Sequence, residues 1–102
     1  MVSFDLDTPN ELDLSLILHA LSDPQRRHIV RELASSSEPV PCGQIELNVG
    51  KSTRTHHFRV LREAGLIEQR RDGTRKLTSL RREEIDARFP GLLDAVLAPV
   101  PA

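Results

Sequence analysis

The stretch 51–64 constrains this chain more than any other part of it. Phe58 and Leu61 are spaced to lie on one face of a helix, and His57 and Arg54 fall beside them. Lys51, Ser52, Thr55, His56 and Arg59 recur every three or four residues and share the opposite face. Gly65 is a C-terminal stop, and Asn48-Val49-Gly50 reads as a tight turn in front of the helix. Before that turn stands a short segment, 42–47, with Ile45 and Leu47 as its apolar anchors. Two helical segments joined by a short, Gly-containing turn are the signature of a helix-turn-helix. Directly after it, 66–71 and 74–80 read as strands around an Asp72-Gly73 hairpin turn. A basic hairpin behind a helix-turn-helix is the organisation of a winged helix.

The rest of the chain fits one small domain. Asp7, Thr8 and Pro9 close a loose lead, so the expected division is lead 1–9, domain 10–98 and tail 99–102. From 11 to 21 the density of Leu, Ile and Ala predicts a helix buried on more than one side. Ser22-Asp23-Pro24 ends it and starts another over 24–34, with Ser22 or Asp23 as the cap and Pro24 in the first turn. Its apolar face is Ile29, Val30 and Leu33; the Ser- and Pro-rich run 35–41 is a loop by composition. A last helical stretch, 83–89, is broken at Pro90-Gly91 and followed by an apolar patch of Leu92, Leu93, Val96 and Leu97. The expected fold is therefore mainly α with a small β-hairpin, a winged helix-turn-helix with helices at both ends.

A net charge of -1 over 102 residues argues against a protein coated in positive charge. Its distribution says something different. Residues 1–20 carry four acids and no Lys or Arg, whereas 49–82 carry ten basic residues against Glu63, Glu68 and Asp72, a net of +7. Residues 83–102 return to -3. Such segregation suggests a polyanion-facing middle and ends with another task. An aromatic content of 3% disfavours base-stacking platforms for single strands. Short hydroxyls and basic groups on one helix face suit the major groove of a duplex, where the backbone comes close to base edges. Lys51 and Ser52 are expected at phosphate or base edge, Thr55 and His56 at base edges, and Arg59 at phosphate, with Thr53 beside them. Arg54 is spaced inward, so its stem should lie along the core and its head should escape to water or an acid.

Two segments carry a family resemblance. Leu18-His19-Ala20-Leu21-Ser22-Asp23-Pro24-Gln25-Arg26-Arg27-His28-Ile29-Val30 resembles the opening of the ArsR (arsenic-repressor-like) transcriptional regulators. Lys51-Ser52-Thr53-Arg54-Thr55-His56-His57-Phe58-Arg59-Val60-Leu61-Arg62-Glu63-Ala64-Gly65-Leu66-Ile67 resembles the recognition helix of the same family. Arg54 departs from the small aliphatic residue usual there. The resemblance, over roughly 14–97, implies a sequence-specific regulator of double-stranded DNA, by default a repressor on a palindromic operator. It implies a wing whose Arg70, Arg71, Arg75 and Lys76 lie along the duplex, and a structural role for His57. It further implies a homodimer built from the first and last helices, for which Leu12, Leu16, Phe89, Leu92, Leu93 and Val96 are the candidates.

Family members that sense metals use paired Cys before the turn, or Asp and His in the last helix. Here Cys42 stands alone, and 83–102 contains neither His nor Cys. Soft-metal binding needs several thiolates or imidazoles converging, so no metal and no cofactor is expected, and any effector is left open. No zincin spacing, phosphate loop or nucleophile motif points to an enzyme. The absence of a long apolar run and of a basic, apolar N-terminus predicts a cytoplasmic protein without a membrane partner. The competing reading is a winged helix used for protein interaction, which leaves the basic middle unaccounted for.

Overall fold

A computed structural model describes residues 11–98. The expected lead 1–9 and tail 99–102 lie outside the described residues. The chain order is α1 (Leu14–Ala20), α2 (Pro24–Ala34), β1 (Val40–Pro41), a 3-10 turn (Cys42–Gln44), α3 (Lys51–Glu63), β2 (Ile67–Asp72), β3 (Arg75–Leu80), α4 (Arg82–Arg88) and α5 (Leu92–Leu97). Helix boundaries follow local chemistry. Asp13 Oδ1 accepts from the N–H groups of Ser15 (2.7 Å) and Leu16 (3.3 Å) and starts α1. Asp23 does the same for α2 through Gln25 N–H (2.7 Å) and Arg26 N–H (3.3 Å), with Pro24 in the first turn where no donor is lost. Of the two candidate caps, Asp23 is the one used.

Helix α3 ends on a left-handed glycine. Gly65 has φ 84, and its N–H reaches Arg62 O (3.0 Å) while Leu66 N–H reaches back to Leu61 O (3.1 Å). This paired arrangement satisfies the last carbonyls of the helix and turns the chain into β2 at once. The hairpin turn sits one residue later than expected. Asp72 pairs with Arg75, which leaves Gly73 and Thr74 as the two turn residues, with Gly73 at φ 65.

The sheet contains a strand that composition hid. β1 pairs antiparallel with β3 (Val40↔Thr78, Pro41↔Leu77), giving the order β1-β3-β2. The run expected as loop thus ends in two sheet residues. Pro41, which has no N–H, is tolerated because β1 is an edge.

Every helix, with the sheet, closes on one core. Ile17, Ala20, Leu21, Ile29, Val30, Leu33, Ile45, Phe58, Leu61, Ala64, Leu66, Ile67, Ile85 and Leu93 are buried together. Leu93 is therefore corrected: it is 0% exposed within the monomer, where α5 packs on α2, and it is not available to a second subunit. The expectation that the first helix is covered on more than one side also fails within the monomer. Ile17 and Ala20 are buried, but Leu14, Leu16 and Leu18 remain 43%, 51% and 48% exposed.

Three helices meet at one buried guanidinium. Arg26 is 6% exposed, and its Nε donates to Ala20 O (2.7 Å) and its Nη2 to His19 O (3.2 Å), at the end of α1. Its Nη1 donates to His57 Nδ1 (3.2 Å) on α3. Removing it leaves those acceptors without their charged donor. Arg26→Met is expected to lower the unfolding free energy by about 3 kcal/mol in urea titrations, far more than the fraction of a kcal/mol typical of a surface Arg.

Candidate nucleic-acid interface

The face of α3 turned away from Phe58 and Leu61 is polar and open. Lys51, Ser52, Thr53, Thr55, His56 and Arg59 are all exposed, whereas His57, Phe58 and Leu61 are buried. The helix starts at Gly50, which brings no side chain to compete for the first N–H groups. No acid stands in that first turn. The sequence-predicted recognition residues are thus brought together on one accessible surface.

His57 holds this helix at a fixed rotation. Arg26 can only donate, so Nδ1 of His57 is the unprotonated acceptor and the ring proton sits on Nε2. Nε2 lies 4.0 Å from Asp23 Oδ1, the cap of α2. Burial pushes the His57 pKa below its ordinary 6.5; Asp23 opposes that shift, and Arg26 and His56 add to it. For Asp23, burial works to raise the pKa, but the N–H groups of Gln25 and Arg26, with the charges of His57 and Arg26, outweigh it and lower it.

Arg54 ends differently from the expectation of water or an acid. Its Nη1 donates to Ile45 O (2.6 Å) and its Nη2 to Cys42 O, while the guanidinium lies over the Phe58 ring, 5.1 Å from the centroid. The two carbonyls stand at the first residue of the 3-10 turn and just past its last, and Arg54 bridges them. It ties the first half of the helix-turn-helix to the second and takes the place a small aliphatic residue would fill.

The wing has two chemically different faces. Strand alternation puts Ile67 opposite Leu80, Gln69 opposite Thr78, and Arg71 opposite Lys76 on the face towards α3. From core to tip that face runs from apolar through neutral polar to basic. Arg70 and Arg75 stand on the other face. Arg75 Nη2 is 3.2 Å from Asp72 Oδ2, an exposed pair across the turn. Arg70 borders a cleft with Glu38, Glu68, Ser79 and Arg82, away from α3. The four predicted wing cations are therefore close in sequence but divided between two faces.

Two residues, Arg62 and Leu18, were missed in the sequence. Arg62 lies seven residues after Thr55, on the flank of α3 that faces the wing, and that spacing was legible. Leu18 shares one flank of α1 with Leu14, four residues before it, whereas Leu16 stands on the opposite flank. Of the other candidate interface residues, Leu12, Phe89, Leu92 and Val96 are partly buried against the core. Cys42 is a free, half-buried thiol. Among the described residues no group of three or more His, Cys, Asp or Glu is placed to hold a metal ion. No helix among them is long and apolar enough to cross a membrane.

A helix-turn-helix with an exposed polar second helix and a basic antiparallel wing defines a winged helix-turn-helix transcriptional regulator. The helix-turn-helix domain model matches residues 21–70. The chain is 39% identical over 82 residues to YceK, a helix-turn-helix-type transcriptional regulator of Bacillus subtilis (strain 168), covering 78% of this chain and 82% of that one. It is 33% identical over 75 residues to the arsenical resistance operon repressor of Staphylococcus xylosus, covering 72% and 71%. The crystal structure of the transcriptional repressor BigR from Xylella fastidiosa superposes with a TM-score of 0.67 at 26% identity, over 87% of each chain. The chain belongs to the ArsR family of helix-turn-helix transcriptional regulators.

The buried imidazole gives this scaffold a pH dependence. The folded protein binds the His57 proton less readily than the unfolded chain does, so protonation favours unfolding. Its contribution is fully present above 6.5 and is lost as pH falls through that value towards the lower folded pKa. The corresponding loss from Asp23 comes only below 3.8. Urea midpoints measured between these two values should fall with pH in the native chain. In His57→Gln, whose amide oxygen can still accept from Arg26, they should fall less.

Proposed function

We propose that this chain is a repressor that binds a palindromic operator in double-stranded DNA as a homodimer. The observation that carries the reading is the exposed donor face of α3 set next to a basic wing. Ser52, Thr55 and His56 are assigned to base edges in the major groove, with Lys51, Thr53 and Arg59 at its margins and on phosphate. Arg70, Arg71, Arg75 and Lys76 of the wing supply backbone contacts, which add affinity with little sequence information. The chain acts in the cytoplasm, where it binds its partner without transforming it. A wing used only for protein contacts does not call for this concentration of donors on one helix face.

The homodimer reading rests on α1. Leu14 and Leu18 leave one flank of α1 apolar and about half exposed, and Leu16 leaves the other so, while partly buried apolar residues of the C-terminal helices add to them. Leu12, Leu16, Phe89, Leu92 and Val96, joined by Leu14 and Leu18, are the assigned contacts. A two-fold pairing would present two recognition helices to successive major grooves, about 34 Å apart.

Selection of bound duplexes from a random library tests the whole reading: an enriched inverted repeat supports it, and failure to bind at low salt overturns it. Within that assay, His56→Ala should cost about 1–3 kcal/mol on the selected site and little on random duplex. Arg75→Ala should weaken both alike and flatten the salt slope by about one. An unchanged slope would remove Arg75 from the interface. Leu16→Lys touches no core position, so it should keep the thermal midpoint of the monomer while sedimentation shifts from dimer to monomer.

A further inference from the structure

Between α3 and the wing lies a cleft of about 100 Å³, lined by Cys42, Arg54, Thr55, Phe58, Arg62, Gln69 and Lys76. Three of its residues are cations and none is a carboxylate. Arg54 is committed to backbone carbonyls, but Arg62 and Lys76 are not. Arg62 spends one of its five N–H groups, from Nη1 to Gln69 Oε1 at 3.2 Å. Gln69 is only 2% exposed, and its Nε2 donates to Thr78 Oγ1 at 3.1 Å, where Thr78 is fully buried. Gln69 and Thr78 are partners in register on the inner face of the hairpin.

That pair is costly for a small sheet. An amide and a hydroxyl stand where two apolar side chains would pack, and their hydrogen bonds only offset the loss of water. What the arrangement does accomplish is to aim a guanidinium. Thr78 orients Gln69, and the Gln69 carbonyl oxygen holds Arg62 at a cleft that the wing cation Lys76 also lines. Thr55 lines it too, so donor-bearing residues come from both elements.

We propose that this cleft binds a backbone phosphodiester of the duplex, with Arg62 and Lys76 as its ligands and Gln69 as a positioning residue. The inference rests on the DNA-binding reading above. With α3 in the major groove and the wing along the adjoining backbone, the sugar-phosphate strand between them must cross this junction. Arg62 would thus be a contact of neither the base-reading face nor the wing tip, but of the strand that separates their two grooves.

The test is fluorescence anisotropy with a labelled duplex of mixed sequence, titrated at several salt concentrations. Arg62→Gln should flatten the slope of log affinity against log salt by about 0.9, the value for one phosphate. At low salt it should weaken binding about tenfold or more. Gln69→Leu keeps every charge but leaves the buried Thr78 hydroxyl without its partner, so part of the urea stability is lost; under conditions where the variant is still folded, its affinity should fall severalfold. Adding Gln69→Leu to Arg62→Gln should cost nothing further, because Gln69 acts only through Arg62. If the native chain binds the duplex and Arg62→Gln leaves both slope and affinity unchanged, the phosphate seat is wrong and the regulator reading stands. If Gln69→Leu weakens the double variant as much as the native chain, its positioning role is wrong. Inorganic phosphate bound without DNA, and lost in Arg62→Gln at concentrations that do not displace duplex, would assign the cleft to a free anion instead. A native chain that binds no duplex at any salt overturns both readings.

Discussion

The fold depends on how one buried positive charge is satisfied. A guanidinium withdrawn from water is tolerated only when each of its nitrogens finds an acceptor. Arg26 meets that demand with two carbonyls at the end of α1 and a ring nitrogen on α3, while belonging itself to α2. No apolar contact could fix three helices so specifically, because packing tolerates small rotations that hydrogen bonds do not. The consequence reaches the functional face directly. His56 and His57 are neighbours in sequence, so holding His57 against Arg26 turns His56, Ser52 and Arg59 outward. The recognition surface is the reverse side of a buried polar network.

The same logic recurs twice around α3. Arg54 closes carbonyls of the 3-10 turn, and Arg62 is held by Gln69. Arg54, His57 and Arg62 thus tie the helix on its inner side and its wing flank, each to a different neighbour. In a core with three phenylalanines in the whole chain, directional bonds supply definition that large aromatic side chains would otherwise provide. Among the described residues, no buried side-chain nitrogen or oxygen lacks a partner. Polar groups inside this domain are arranged, not merely tolerated.

What was legible in the sequence follows from which signals are local. Helix α2 was readable to the residue because Asp23-Pro24 is a start signal and a Ser-rich run follows it. Helix α3 and the hairpin were readable because glycines mark both and periodicity fills the interval. β1 was not, since a two-residue strand has no period and is defined by a partner far along the chain, Val40 by Thr78 and Pro41 by Leu77. The hairpin turn slipped by one residue because Asp-Gly and Gly-Thr are both acceptable turn pairs, and only the register with β3 decides. Apolar spacing likewise cannot say against what a side chain is buried. Leu93 and Leu16 carry the same signal, yet one fills the core of the monomer and the other faces outward. The end of Arg54 was hidden for a related reason, since the carbonyls of Cys42 and Ile45 come within its reach only once the 3-10 turn has formed.

Charge shows how far this distinction goes. The +7 segment reads as a single basic stretch along the chain, but its members do different work in space. Arg54 is consumed by the scaffold, Arg75 is paired across its own turn, and Arg62 is aimed by a buried amide. Lys51 and Arg59 stand on the open face of the recognition helix. A count of positive charge therefore says little about where this protein can meet a polyanion, and the inner face of the wing shows why. Each step outward from Ile67 and Leu80, through Gln69 and Thr78, to Arg71 and Lys76 exchanges packing for charge. The position along two paired strands, more than residue type, decides whether a side chain belongs to the core or to a partner.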